Sequence, residues 1–187
     1  MQSTKPTVLI RDSIEGDVVI IQDIYAYHVQ HGTASFELTP PTLQEMQQRR
    51  ADIVEKGLPY FVAEFEGAVV GYAYATMYRP RPAYRFTVED SVYVREGLAG
   101  NGIGRALLEA VIERCTVLGY RQMLAVIGDS SAASVALHKA VGFEQVGLFR
   151  SVGFKFGQWR DTAMLERELG EGSRSLPTSA LDESRRS

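Results

Sequence analysis

A single cysteine, Cys115, stands in the 187 residues, so no disulfide can close within the chain. Long apolar runs are missing too. Nowhere do the ~18 consecutive apolar residues of a membrane-spanning helix occur, although 45% of the residues are hydrophobic, enough for a real core. Neither sign of charge is in excess: 20 Lys and Arg against 23 Asp and Glu leave a formal net charge of −3. With no basic face, nucleic acid is not an expected partner. The opening MQSTKPTVLI lacks a charged stretch followed by a long apolar core, which argues against secretion. No Cys/His pair has zinc-ligand spacing, so no metal is expected. These absences together point to a cytoplasmic protein.

What is present is an alternation of strand and helix patterns. Val8 to Arg11 reads as a first strand, and Asp12 or Ser13 could cap the helix after it. Thr42 and Glu45 have capping-box spacing at the start of a Gln/Arg/Glu-rich helix that ends near Gly57-Leu58-Pro59. Tyr60 to Glu64 and Ala68 to Met77 read as strands joined at Glu66-Gly67 in a hairpin. Thr87 to Val94 predicts a central strand. Leu107, Leu108, Val111, Ile112, Cys115 and Leu118 return at three- and four-residue intervals and predict a helix over Gly104 to Leu118. Gln122 to Ile127 is another strand, SSAASVALHKAVGF a short helix, and Glu144 to Ser151 and Thr162 to Leu169 close the sheet. Trp159 and Phe156 are expected to pack in the core by default, with a dimer seam as the alternative. From Gly170 onward the chain is polar without apolar period, and disorder is expected over residues 170–187. Nothing suggests an internal repeat or a second domain, so residues 1–169 are expected to form one.

The stretch VYVREGLAGNGIGRALL, Val92 to Leu108, carries the most information, because it runs from an apolar strand through a glycine-rich turn into a helix. Amides of a first helical turn have no intrahelical partner and carry partial positive charge, so glycines that admit an anion there make a diphosphate site. Gly100, Gly102 and Gly104 alternate in a way that suits successive amides aimed at one ligand. A P-loop is excluded, since Gly104-Arg105-Ala106 offers no Lys followed by Ser or Thr. The dinucleotide fingerprint fails as well: with Gly102 and Gly104 as its first two glycines, the third position falls on Leu107. A surface turn whose glycines only relieve backbone strain is the plain alternative.

Joined to the later SSAASVALHKAVGF helix, this turn resembles the GNAT superfamily of N-acetyltransferases over Ser91 to Phe143. There a [QR]xxGxG turn holds the coenzyme A pyrophosphate, and a later helix flanks the pantetheine arm. Ala99 occupies the Gln/Arg position and Ser131 a position that is often Asn. Four ordered blocks are similar to the phosphinothricin N-acetyltransferase family: Gly32 to Met46, Tyr84 to Val94, Ala125 to Phe143 and Gly147 to Asp161. The resemblance implies an α/β fold, one GNAT-type domain with a mixed, mostly antiparallel central sheet flanked by helices. It also implies acetyl transfer from acetyl-CoA to the α-amino group of a glutamate-like or methionine-sulfoximine-like amino acid, in a cytoplasmic, usually dimeric enzyme.

An α-ammonium must lose a proton before it can attack a thioester, so a base is required. Glu89, in the central strand between Val88 and Val92, is the first candidate, and the family match points to the same residue; an ion pair with Arg85 or Arg95 is its plain alternative. His138 is the second, as base or as acid towards the departing thiolate; a packed helical histidine is the alternative. The resemblance gives it a catalytic role beside the glutamate. His28 and His31 lie outside any comparable block, and surface or helix-end positions suffice for them. Main-chain amides from Gly100 through Asn101, Gly102, Ile103 and Gly104 to Arg105 are expected under the diphosphate. Val92, Tyr93 and Val94 are expected beside the pantetheine with Ser131 and Ser134, and Ala99 at the turn's entry. Arg79, Arg81 and Tyr84, in a proline-stiffened loop, match substrate contacts of the family, and Phe36 matches an aromatic wall. Leu108 stands where some members have tyrosine. Cys115 lies on the apolar helix face and reads as core rather than as an acetyl carrier. Two other functions share parts of this pattern: acetylation of a peptide N-terminus or polyamine, and acetyl-CoA binding without turnover.

Overall fold

The computed structural model describes residues 8–177. Seven strands and four helices follow one another as β1 (Leu9–Asp12), α1 (Val18–His31), α2 (Leu43–Glu55), β2 (Tyr60–Phe65), β3 (Ala68–Met77), β4 (Thr87–Val94), α3 (Ile103–Val117), β5 (Gln122–Gly128), α4 (Ala132–Ala140), β6 (Glu144–Lys155) and β7 (Gln158–Glu168). They form one sheet in the order β1-β2-β3-β4-β5-β7-β6. Only β4 and β5 are parallel; the other pairs are antiparallel. The mixed, mostly antiparallel sheet flanked by helices is the architecture the sequence resemblance implied.

Local chemistry places most of these elements. Thr42 accepts from the Glu45 amide while the Glu45 carboxylate accepts from the Thr42 amide at 2.6 Å, closing the capping box that starts α2. Glu66 and Gly67, with φ of 53° and 81°, make the tight β2–β3 turn. The start of α1 differs from expectation. Neither Asp12 nor Ser13 caps it; a short 3-10 turn, Glu15–Asp17, intervenes, and the Asp17 carboxylate accepts from the Ile14 amide. Arg11 draws Asp17 into a buried bridge at 2.8 Å and also pairs Glu64, which holds the Asp17 carboxyl below its ordinary range. An ion pair across the β1–β2 edge thus takes the place of a simple side-chain cap.

The core lies on both faces of the sheet. Gly71 shares a face with Ala73 and Ala75, and its missing side chain admits Leu107 and Ile103 of α3. The opposite face carries the stacked rings of Tyr60, Tyr72, Tyr74 and Tyr93 beneath α1 and α2.

The last two strands run longer than the sequence suggested and pair as a hairpin that stands in solvent at its tip. Trp159 is 67% and Phe156 53% exposed, so neither packs in the core. Phe149, Val152 and Phe154 are exposed beside them. Alternation alone could not reveal this, because the register of β6 against β7 shifts between Gln145 and Gly147 and again between Phe149 and Gly153. Residues 170–177, the first part of the tail expected to be disordered, form turns tied to the sheet: Arg174 pairs Glu168, and Arg121 donates to Ser175. The rest of that tail, 178–187, lies outside the described residues. Among the described residues no helix is long and apolar enough to cross a membrane.

Candidate active site

The sheet opens at its only parallel junction. β4 and β5 pair through Thr87, Val88 and Glu89 against Gln122, Met123 and Leu124, and there the pairing stops, although β4 continues to Val94 and β5 to Gly128. Thr87 accepts from Tyr78 on the β3 side, and Arg95 donates to Val70 on that same side. Because main-chain groups alternate along a strand, the even-numbered residues of β4 turn theirs towards β5. The amides of Val92 and Val94 and the carbonyl of Val92 therefore face the gap, an edge ready to take an extended, amide-bearing ligand.

At the end of that edge the glycine-rich turn enters α3. Gly100 and Gly102 have φ of 84° and 79°, and open space lies where a side chain would project from either. The amides of Ile103, Gly104 and Arg105 precede the first intrahelical bond, which runs from Ala106 to Gly102. A 15-residue helix aims its unpaired donors at this point, and a diphosphate fits them. A cleft of about 620 Å³ joins turn and edge, lined by Val92, Tyr93, Val94, Ala99, the glycines and Arg105, and on the α4 side by Ser131 and Ser134. Of the expected cofactor residues, only Asn101 is outside this lining; it faces solvent and donates to Leu98. His28, passed over in the sequence, is part of the cleft: its Nε2 lies 2.8 Å from the Val94 carbonyl oxygen and its ring packs on Tyr93. Only the fold brings α1 to the end of β4, across 66 positions.

Side-chain alternation places Glu89 and Asp90 on opposite faces of β4. Glu89 shares its face with Tyr74 and Thr76 and borders a hollow of about 320 Å³ with Tyr78, Arg79, Val126, Phe149 and Val152. No hydrogen bond or ion pair engages its carboxylate among the described residues, so a pairing with Arg95 does not exist; Arg95 donates to the Val69 carbonyl instead. Burial, and then the neighbouring Asp90, push the Glu89 carboxyl above its ordinary value, against a smaller opposing pull from Arg79. That is the state suited to a base working near neutrality.

Asp90 turns towards α3 and α4 and meets His138. The carboxylate Oδ2 lies 3.0 Å from His138 Nε2, and Nδ1 of the ring lies 2.7 Å from the Ser134 carbonyl oxygen. Asp90 and His138 both line the narrow part of the gap between β4 and β5. No motif marked Asp90 in the sequence, since its partner stands 48 positions away.

The acceptor residues divide. Arg79 borders the Glu89 hollow and stacks on Tyr78 at 5.1 Å, whereas Arg81 and Tyr84 are exposed and outside its lining. Tyr84 meets Tyr78 edge-on at 5.4 Å. Phe36 lies over Gly153, where any β-carbon would collide with its ring, and beside Gly128, where a β-carbon would collide with the Thr33 carbonyl oxygen and crowd the same ring. Leu108 is wholly buried, facing the core rather than the acceptor side.

Cys115 is also wholly buried, and burial pushes its thiol up to about 12. Cys115→Ala is expected to retain wild-type turnover while losing on the order of 1 kcal/mol of stability, the usual scale for trimming a small buried group; steady-state rates and a denaturant melt check both. Among the described residues no group of three or more His, Cys, Asp or Glu could hold a metal ion.

An open parallel junction, a glycine turn at a helix start and a carboxylate at the splay are together the marks of an acyl-CoA-dependent transferase of the GNAT type. A family model described as acetyltransferase (GNAT) family matches residues 22–143. The chain is 52% identical over 170 residues to a phosphinothricin N-acetyltransferase of Alcaligenes faecalis, covering 90% of this chain and 85% of the relative. It is 40% identical over 169 residues to an L-methionine sulfoximine/L-methionine sulfone acetyltransferase of Pseudomonas aeruginosa, covering 90% and 98%. A crystal structure of a GNAT superfamily phosphinothricin acetyltransferase from Sinorhizobium meliloti, in complex with acetyl-CoA, matches at a TM-score of 0.90 and 50% identity, over 92% of this chain and 94% of that one. The chain belongs to the GNAT acetyltransferases and, within them, to the phosphinothricin and methionine sulfoximine N-acetyltransferase family.

Proposed function

We propose that the protein transfers the acetyl group of acetyl-CoA to the α-amino group of a glutamate-analogue amino acid of phosphinothricin, methionine sulfoximine or methionine sulfone type, directly within a ternary complex. The observation that carries this reading is the Glu89 carboxylate, unpaired among the described residues, raised in pKa and set where β4 and β5 part. The relatives named above supply the substrate class. The diphosphate rests on the amides from Gly100 to Arg105, and the pantetheine runs along Val92 to Val94 with Ser131 and Ser134 opposite. An amide of that edge faces the thioester oxygen, where it stabilises developing negative charge. Arg79 receives an acidic group of the amino acid, with Arg81 and Tyr84 in the same loop and Phe36 as the far wall.

In this reading Glu89 takes a proton from the α-ammonium, and the freed amine attacks the thioester carbonyl carbon. Placement of the two reactants supplies much of the rate. The deciding experiment is a thiol-release screen of acetyl-CoA against amino acids, their sulfones and sulfoximines, and several polyamines. Release with the tetrahedral-headed amino acids is the expected result. A preference for polyamines overturns the acceptor class, and release with no amine overturns the enzyme itself.

The exposed apolar surface of the β6–β7 hairpin supports a homodimer. Phe149 and Val152 belong both to this surface and to the Glu89 hollow, so a second copy seated there closes the acceptor side against water. Trp159→Lys is expected to shift the protein to monomer in light scattering; an unchanged mass removes this surface as the seam.

A further inference from the structure

Asp90 and His138 form a sealed pair, with side-chain exposures of 2% and 3%. The Ser134 carbonyl can only accept a hydrogen bond, so His138 Nδ1 carries hydrogen; opposite a carboxylate, which can only accept, Nε2 would carry one too. In that state both ring protons are committed to fixed acceptors, which leaves no lone pair to receive a proton from an amine. Phe143 packs against the ring at 84° and 5.1 Å between centroids, and this contact resists rotation of the imidazole. The other Asp90 oxygen, Oδ1, is buried with no hydrogen-bond partner among the described residues. His138 is thus the one group among them that contacts the carboxyl, and a buried carboxylate in that position needs a cation beside it.

The remaining titratable neighbours do not take over that role. Glu89 lies on the far face of β4, Cys115 of α3 is a buried thiol, and Lys139 of α4 points to solvent. β5 contributes apolar Ala125 and Ile127. Burial by itself drives an imidazole towards its neutral form, but the bond to Asp90 and its charge outweigh this and hold His138 above its ordinary value.

We propose that Asp90 is a positioning residue for acetyl transfer: it clamps His138 as a fixed cation in the narrow gap between β4 and β5, so that the ring stabilises the departing thiolate by charge and surrenders no proton. This rests on the transferase reading above. In the step it serves, the amine lone pair forms the C–N bond to the carbonyl carbon, and the C–S bond breaks with its electron pair passing to sulfur. The ammonium nitrogen loses two protons, one to Glu89 and one to the thiolate, and none comes from His138.

The test uses the full-length protein labelled with ¹⁵N-histidine. In wild type, the His138 ring is expected to show the doubly protonated nitrogen pattern at neutral pH, and in Asp90→Asn the neutral one. A neutral ring in wild type overturns the clamp without recourse to any variant, and so does an unchanged ring in Asp90→Asn. In kinetics, Asp90→Asn should lower kcat by about tenfold to a hundredfold, the coupling range of groups in one hydrogen-bond network, with the KM for acetyl-CoA little changed. His138→Asn combined with Asp90→Asn should fall no further than His138→Asn alone. Losses that multiply, or an unaltered kcat in a folded Asp90→Asn protein, overturn the positioning role. If wild type releases thiol with no amine, the transferase reading fails, while the nitrogen spectrum still decides the state of the pair.

Discussion

Glu89→Gln is expected to lower kcat by ~10²- to 10⁴-fold, the usual contribution of a positioned acid-base group, equivalent to about 3–5 kcal/mol of barrier. The amide keeps the shape of the side chain and its place in the hollow with Arg79, so the KM for acetyl-CoA should barely move. A pH profile sharpens the expectation. As a base Glu89 would act in its ionised form, and its carboxyl is held above the ordinary value, so wild-type kcat should fall as pH drops through that raised pKa. The variant should lack this acid limb.

Stability should move in the opposite direction. A carboxyl whose pKa is higher folded than unfolded favours the fold below the unfolded value and weakens it as pH rises through the folded one. Ionised Glu89 is therefore a burden on the fold at neutral pH, and Glu89→Gln should melt at the same temperature or slightly higher. A large loss of activity together with undiminished stability would separate a chemical role from a structural one. Wild-type turnover in this variant would move the base elsewhere.

Gly102→Val is the second change with a large expected effect. Gly102 is the residue that turns into α3, at φ 79°, and a β-branched residue in the left-handed region costs roughly 1–3 kcal/mol. Among the described residues, and apart from its two chain neighbours, no atom lies within 4 Å of the added β-carbon, so the fold has room for it. Either the turn rearranges and its amides cease to converge, or the side chain projects into the space that a diphosphate needs. Affinity for acetyl-CoA should drop about tenfold to a hundredfold, with every 1.4 kcal/mol worth a factor of ten. Equilibrium dialysis reads this directly. Unaltered binding would show that the diphosphate does not use this turn.

Features that depend on neighbouring residues could be read from the chain in advance. The Thr42 and Glu45 box, the Glu66-Gly67 turn, the β4 strand and the α3 stripe each arise from contacts within a few positions. Features set by register or by distant partners could not. Where β4 and β5 stop pairing depends on how two strands diverge in space, and nothing in Glu89 or Leu124 signals it. Asp90 gains its meaning from His138, and His28 from Val94, across 48 and 66 positions. Trp159 and Phe156 misled for another reason: apolar character says that a side chain prefers burial, not which molecule buries it.

The adjacency of Glu89 and Asp90 makes β4 a thin partition between two chemically distinct compartments. One carboxylate borders the hollow with Arg79 and its neighbour pairs with His138 on the other side, with nothing but strand alternation to tell them apart. A single-residue insertion or deletion ahead of Glu89 would invert the pair, sending Glu89 towards His138 and Asp90 into the hollow beside Arg79. Point changes along this strand can be graded in their effects; a frameshift of its pleat by one residue would silence both compartments together.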